Sequence, residues 1–268
     1  MKYFLLIFIN LFVFKSYGQE FTSSRADSLR NIGNSYYDSN PRKCITYLDS
    51  AALLYDKLDK KKQRAYCIQN IAFVFHEKLN NIDSSIIYIE KAIAIWKELK
   101  EPLNQANLFK YYGMLLSKQG EYLEGIEAIR KAIDLFEKNS FTPGKAVSYF
   151  DLALLYENAS QIDSSIYYFK KNKAYFEAKQ DTFRIFLVNN KLFENHMKKE
   201  KYNSASEIYE NNLKLEKSSR VHWQHLIDYY KISMLFFQNT DNSELYDLNQ
   251  EKYKQLSEKL TEQGIVIM

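Results

Sequence analysis

The sequence predicts an all-α fold, an α-α superhelix (solenoid) of about six helix pairs. Three observations carry this reading: few chain breakers, apolar residues at helical spacing, and an internal repeat of 40 residues. Only 7 Gly and 3 Pro occur in 268 residues, of which 46% are hydrophobic, 26% charged and 16% aromatic. Such a composition excludes a disordered, collagen-like or Gly-rich linker chain. A β-sandwich or barrel would need turn residues every ~8–12 positions, which the chain lacks. Abundant Lys, Glu, Leu, Ile and Tyr favour long helices.

The repeat is read from matching columns. Ile-Asp-Ser-Ser-Ile occurs at Ile82–Ile86 and again at Ile162–Ile166, an offset of 80. Half of that step organises the middle of the chain. Ser85, Gly125, Ser165 and Ala205 form a small-residue column; Ile89, Ile129, Phe169 and Tyr209 form a large one. Ala92, Ala132, Asn172 and Asn212 form another small column that decays to Asn. Upstream, Gly33, Ala72, Gly113, Ala153 and Ser233 are small, with Phe193 breaking the series. Paired antiparallel helices approach closely only where side chains are small, so Gly113 is expected to meet Gly125, and Ala153 to meet Ser165. Ala132 is expected to let its helix approach the following pair.

These residues resemble the tetratricopeptide-repeat (TPR) family. The likeness is clearest from Tyr111-Tyr112-Gly113 and Leu116 through Gly120-Glu121-Tyr122, Gly125 and Ile129 to Lys131-Ala132-Ile133. It covers residues 24–260 and implies a TPR-like solenoid. The step of 40 exceeds the usual ~34, so helices or loops must be longer than in the family. The expected helices are 23–38, 42–58, 62–79, 84–100, 103–119, 122–138, 143–159, 164–178, 181–199, 203–217, 221–238 and 243–260. Pro41, Pro102 and Pro143 fall between them, and Asp83, Asp163 and Asn203 stand where caps are expected.

Residues 1–18 differ from the rest. Lys2, an apolar run from Tyr3 to Phe14, and small Ser16 and Gly18 read as a signal peptide, leaving 19–268 as the repeat domain. A membrane anchor would need about 20 apolar residues, more than this run supplies. The chain is therefore expected in the periplasm of a bacterium or secreted, with no stable membrane span after cleavage. The net charge of +4 is near balance and does not suggest nucleic acid. Cys44 and Cys67 are expected as buried free thiols, since the helix starts that carry them lie at opposite ends of a helix pair.

No catalytic motif is present, so the sequence predicts no enzyme and no cofactor. His222 and His225 share a helix face, but no further metal ligand is near them in sequence. The family resemblance implies that the first helix of each pair lines a groove holding a partner segment. Counted onto this chain, the groove positions are Tyr66, Gln69, Asn70, Phe73 and His76, then Asn107, Lys110, Tyr111, Met114 and Lys118, then Val147, Phe150, Leu154 and Glu157. The partner-binding candidates are Tyr66, Asn70, Phe73, Asn107, Lys110, Tyr111, Met114, Lys118 and Glu157. Phe150 and Leu154 serve equally well as packing between pairs. Some relatives clamp a partner's C-terminal carboxylates; here the five places are Arg30, Asn34, Asn70, Asn107 and Tyr111, and two expected cations are missing. The expected function is an exported scaffold for a protein or peptide partner. The alternative is the extracytoplasmic sensor portion of a signalling protein, with the apolar tail Gly264–Met268 as the edge of a span. Terminal faces of the array could also allow self-association.

Overall fold

The structure, a computed structural model, describes residues 22–218 and 221–265. The expected signal peptide and the last three residues of the apolar tail lie outside these. Among the described residues there are twelve α-helices and no strand. They are α1 (Ser23–Ser35), α2 (Pro41–Lys57), α3 (Lys61–Glu77), α4 (Ile82–Glu98), α5 (Pro102–Gln119) and α6 (Tyr122–Lys138). Then follow α7 (Thr142–Asn158), α8 (Ile162–Ala178), α9 (Thr182–Lys198), α10 (Tyr202–Ser218), α11 (Trp223–Asn239) and α12 (Ser243–Glu262). The fold is an all-α solenoid of six helix pairs. No helix among the described residues is long and apolar enough to cross a membrane.

The step of 40 comes from the helices, not the loops. Nine of the twelve are 17 residues long, about 25 Å each. Three linking residues complete a step of 20. One linking residue takes a left-handed backbone: Asp59, Asn80, Lys100, Gly120, Ser140, Ser160, Gln180, Glu200 and Asp241. The next N–H turns back onto the helix just finished, as in Glu101 N–H to Trp96 O at 3.0 Å and Phe141 N–H to Phe136 O at 2.8 Å. This is the Schellman closure, which satisfies the last carbonyls of these helices. The carbonyls that accept belong to large buried residues at 20-residue intervals: Trp96, Leu116, Phe136, Tyr156, Phe176 and, as an exception, His196.

Seven of the twelve helix starts lie one or two residues earlier than expected, which moves the caps. Asn81, not Asp83, caps α4, its side chain accepting from Ser84 N at 2.9 Å. Asp83 and Asp163 instead sit in the first turns of α4 and α8, where a carboxylate suits the helix dipole. Asn203 is likewise inside α10. Pro41 and Pro102 open their helices and Pro143 is second in α7, where the missing N–H costs nothing.

The chain forms two compact units, one ending at Leu108 and the other beginning at Phe109, within α5. In the N-terminal unit the small residues do mark close crossings. A Cβ on Gly33 would lie 3.2 Å from the backbone N of Leu48, and Ser85 Oγ donates to Ala72 O at 2.8 Å. Leu48, Tyr55, Ile71, Ile89 and Trp96 are fully buried. Cys44 and Cys67 are buried and unbridged; burial pushes the Cys67 thiol up to about 12, so it stays protonated. Residues one repeat apart are stitched together: Tyr37 donates to Glu77, and Lys78 Nζ lies 2.5 Å from Asp38.

In the C-terminal unit Gly113 and Gly125 meet as expected, and Ala153 and Ser165 are both fully buried. Where Phe193 breaks the small column, its ring is buried edge-on to Phe236, with centroids 5.4 Å apart. The column that decays to Asn turns out to face its own pair. Asn172 donates to Ala146 O on α7 at 2.8 Å, and Asn212 donates to Asn190 Oδ1 on α9 at 2.8 Å. A side chain at this register points at the paired helix, which corrects the expectation that it contacts the following pair.

Candidate functional site

The groove of the C-terminal unit is built by α7, α9 and α11, the first helices of the last three pairs. Stepping by 40 from Phe150 gives Asn190, and a further 41 gives Lys231. These residues line one hollow of about 520 Å³, together with Leu187, Lys191 and Glu194 of α9 and His225, Asp228 and Ile232 of α11. A second hollow of about 380 Å³ shares Glu194, Lys231 and Ile232 and adds Met197, Lys198, Leu235 and Asn239. The groove therefore runs along α9 and α11.

Its floor is fixed from beneath. Phe150 stands edge-on to Phe169, centroids 5.2 Å apart. Asn190, only 7% exposed, donates to the His225 carbonyl at 3.0 Å and accepts from Asn212 at 2.8 Å. Asn189 donates to Asn212 Oδ1 at 2.9 Å, so a chain of amides ties α9, α10 and α11 together. Buried amide networks of this kind hold a single register because a slip would leave several groups unpaired. The rim carries His225, whose ring packs 5.6 Å from Phe183. Burial lowers the His225 pKa, against the pull of Asp228.

The charges between α7 and α9 are spent on one another. Lys198 donates to Glu157 and lies 3.1 Å from Glu194; Lys191 lies 2.9 Å from Glu194 and 3.9 Å from Glu157. Burial pushes the Glu194 carboxyl up, but its bonds to Lys191 and Lys198 bring it below the ordinary range. Lys110 of α5 pairs with Asp151 of α7 at 3.2 Å. Burial holds Asp151 above the usual carboxylate range despite that lysine.

The expected contact residues fall into three groups. Tyr66, Asn70 and Phe73 lie on α3 and Asn107 on α5, all in the N-terminal unit. Tyr66 is exposed at one edge, its ring 4.9 Å from that of Trp96, while Asn70 and Phe73 are half-buried and Asn107 is exposed. Lys110, Tyr111, Met114 and Lys118 lie on α5 in the C-terminal unit, with only Lys118 fully exposed. Glu157 is turned inward: its side chain is 9% exposed and is held by the two lysines of α9. It clips α7 to α9. The residues that enclose the hollow on α9 and α11, Leu187, Asn190 and Ile232 above all, were not among the candidates. A further step of 40 from Val147 and Phe150 reaches Leu187 and Asn190, but the break at Phe193 hid the pair.

The remaining candidates hold little chemistry. His222 and His225 lie 6.3 Å apart by ring centroid, and among the described residues no three His, Cys, Asp or Glu side chains gather. Arg30, first of the clamp positions, lies 3.4 Å from Asp27.

No protein-family model and no curated protein sequence matches the chain. Solved structures are similar in fold. BtubC (BKLC) from P. vanneervenii superposes with a TM-score of 0.71 at 13% identity, over 84% of this chain and 93% of that one. The tetratricopeptide repeat sensor-bearing STAND protein PH0952 from Pyrococcus horikoshii gives 0.74 at 14% identity, over 93% of this chain and 39% of that one. The nearly identical, kinesin-light-chain-type TPR-like repeats from Podosopora anserina give 0.61 at 14% identity, over 74% of this chain and 98% of that one. The fold is that of a tetratricopeptide-repeat array.

Proposed function

We propose that the chain is an exported, non-catalytic scaffold that holds a protein or peptide partner in the groove of α7, α9 and α11. The observation that carries this reading is a preformed hollow with an apolar floor and a fixed amide, Asn190. Repeat arrays of this fold act generally as surfaces for protein partners, and preorganised grooves lose little entropy when they bind. Support for export is the sequence of residues 1–18, and the proposed location is periplasmic or secreted. No nucleic acid, cofactor or metal is invoked.

A second reading, the sensor portion of a signalling protein, draws on the likeness to PH0952. That match covers 93% of this chain but 39% of the other, so an array of this kind occurs there as part of a larger protein.

Two measurements test the proposal. Fractionation with N-terminal sequencing should find the chain outside the cytoplasm and starting near Gln19; a cytoplasmic chain that retains Met1 would refute export. Affinity capture from envelope extract should recover a partner with the parent and not with Leu235→Asp. Equal recovery by both would move the site off this groove.

A further inference from the structure

We infer that the groove selects an uncharged segment that inserts a bulky apolar side chain, and that it rejects acidic peptides. The inference rests on the groove reading above and names the chemistry of its occupant.

The argument is one of charge complementarity. Cations in a TPR-like groove invite an acidic partner only if they are unspent. Here Lys110 is held by Asp151 at 3.2 Å, and Lys191 and Lys198 are shared between Glu157 and Glu194. An incoming carboxylate would compete with Glu157 and Glu194 for Lys198 and Lys191. Drawing these lysines away would weaken the pairing of a carboxylate with 9% exposure, and an isolated buried charge is strongly disfavoured. On α11 the remaining Lys231 is three residues from Asp228, so this rim also sums to zero. Counting all six groups, three cations (Lys191, Lys198, Lys231) face three carboxylates (Glu157, Glu194, Asp228). What the groove offers without rearrangement is the apolar floor of Phe150, Leu187 and Ile232. Beside it stands Asn190, with one N–H and its carbonyl already engaged and its second N–H left for a peptide carbonyl. An apolar side chain gains by leaving water there, and no ion pair has to break.

The test uses the chain from residue 19 onward and two synthetic dodecapeptides, both measured by titration calorimetry. One is acetylated and amidated and carries Leu and Phe anchors in a Ser/Gly background. The other replaces both anchors by Asp and keeps its free carboxylate. The neutral peptide should bind at least about tenfold tighter, a gap of about 1.4 kcal/mol. Its affinity should change less than about twofold between low and high salt, because no unscreened charge is used. Leu235→Asp, on the exposed side of the second hollow, and Ile232→Asp, on the floor, should each weaken it while helicity is kept. Tighter binding of the acidic peptide, lost in Ile232→Asp, would overturn the chemistry and leave the groove standing. Binding that neither variant alters would overturn the groove itself. No heat from the neutral peptide would overturn the inference. So would sedimentation showing a dimer that Leu235→Asp dissolves, since a second copy would then be the occupant.

Discussion

A Cβ placed on Gly113 would lie 2.8 Å from the carbonyl oxygen of Gly125, and one placed on Gly125 would lie 2.9 Å from the carbonyl oxygen of Gly113. The two backbones therefore touch, α5 against α6, at a distance no other residue permits. Gly125→Ala should lower stability by about 1–3 kcal/mol despite the better helix propensity of alanine. Gly120→Ala tests a different cause: nothing lies within 4 Å of it, but its φ is +84. Its loss should be nearer about 1 kcal/mol and come from backbone strain alone. Thermal melts followed by circular dichroism would rank the two.

The amide chain yields a second prediction. Asn212→Leu removes two hydrogen bonds and leaves the Asn189 amide N–H and the Asn190 carbonyl oxygen without those partners in the interior. The expected cost is about 2–4 kcal/mol by chemical denaturation. Partner binding should weaken as well, because Asn190 loses the bond that orients it. Asn172→Leu, which breaks one bond to Ala146 O, should cost less and leave binding unchanged.

Eight linking positions hold left-handed backbone without glycine. Each carries a strain of about 1–2 kcal/mol that glycine would relieve, less about 0.5–1 kcal/mol of extra chain entropy. Lys100→Gly, Gln180→Gly and Glu200→Gly should each raise stability by about 0.5–1 kcal/mol. Because the three sites are far apart in sequence and share no partner, the gains should add.

His196 occupies the column otherwise filled by Trp96, Leu116, Phe136, Tyr156 and Phe176, and its Nδ1 is buried without a hydrogen-bond partner. Burial first, then Lys170 and Lys201, lower its pKa below the ordinary 6.5, and Glu207 opposes them. An imidazole whose folded pKa is depressed contributes stability that is whole above about 6.5 and is lost as pH falls toward the folded value. His225 adds a change of the same sign. Melting temperature should therefore fall as pH drops from about 7 to about 5. His196→Phe should flatten that slope and raise stability at pH 7, as it restores a large apolar residue to the column. An unchanged slope would show that the imidazole is not the group being titrated.

Much of this structure was legible in the amino acids. The columns through Gly113 and Gly125, and through Ala72 and Ser85, mark close crossings in the sequence, because a backbone contact can be read from missing side chains. Helix ends came within three residues; α1 stops at Ser35, short of the expected 38. The caps were misplaced because Asp83 and Asp163 are good residues both at a cap and one turn inside it. Turns carried by Lys100, Gln180 and Glu200 leave no glycine to mark them. The proposed groove lies on first helices of the pairs, as the resemblance implied, but its hollows are lined from α7, α9 and α11, whereas the expected positions lie on α3, α5 and α7. Phe193 stands in place of the small residue that would index the fifth pair. The fate of Glu157 was hidden for a simpler reason. Its partner Lys198 lies 41 residues away, and a carboxylate at a groove position looks the same in sequence whether it faces a ligand or a neighbouring lysine.

The claim on which the rest depends is that a partner occupies the face made by α7, α9 and α11. Photo-crosslinking from single benzoylphenylalanine substitutions in cells tests it directly. Leu187 and Leu235 report on the groove; Leu123 on α6 and Tyr167 on α8 are exposed and lie on the second helices of their pairs. The account predicts one crosslinked species from Leu187 and Leu235 and none from Leu123 or Tyr167. The same species from Leu123 and Tyr167, with Leu187 and Leu235 silent, would contradict it.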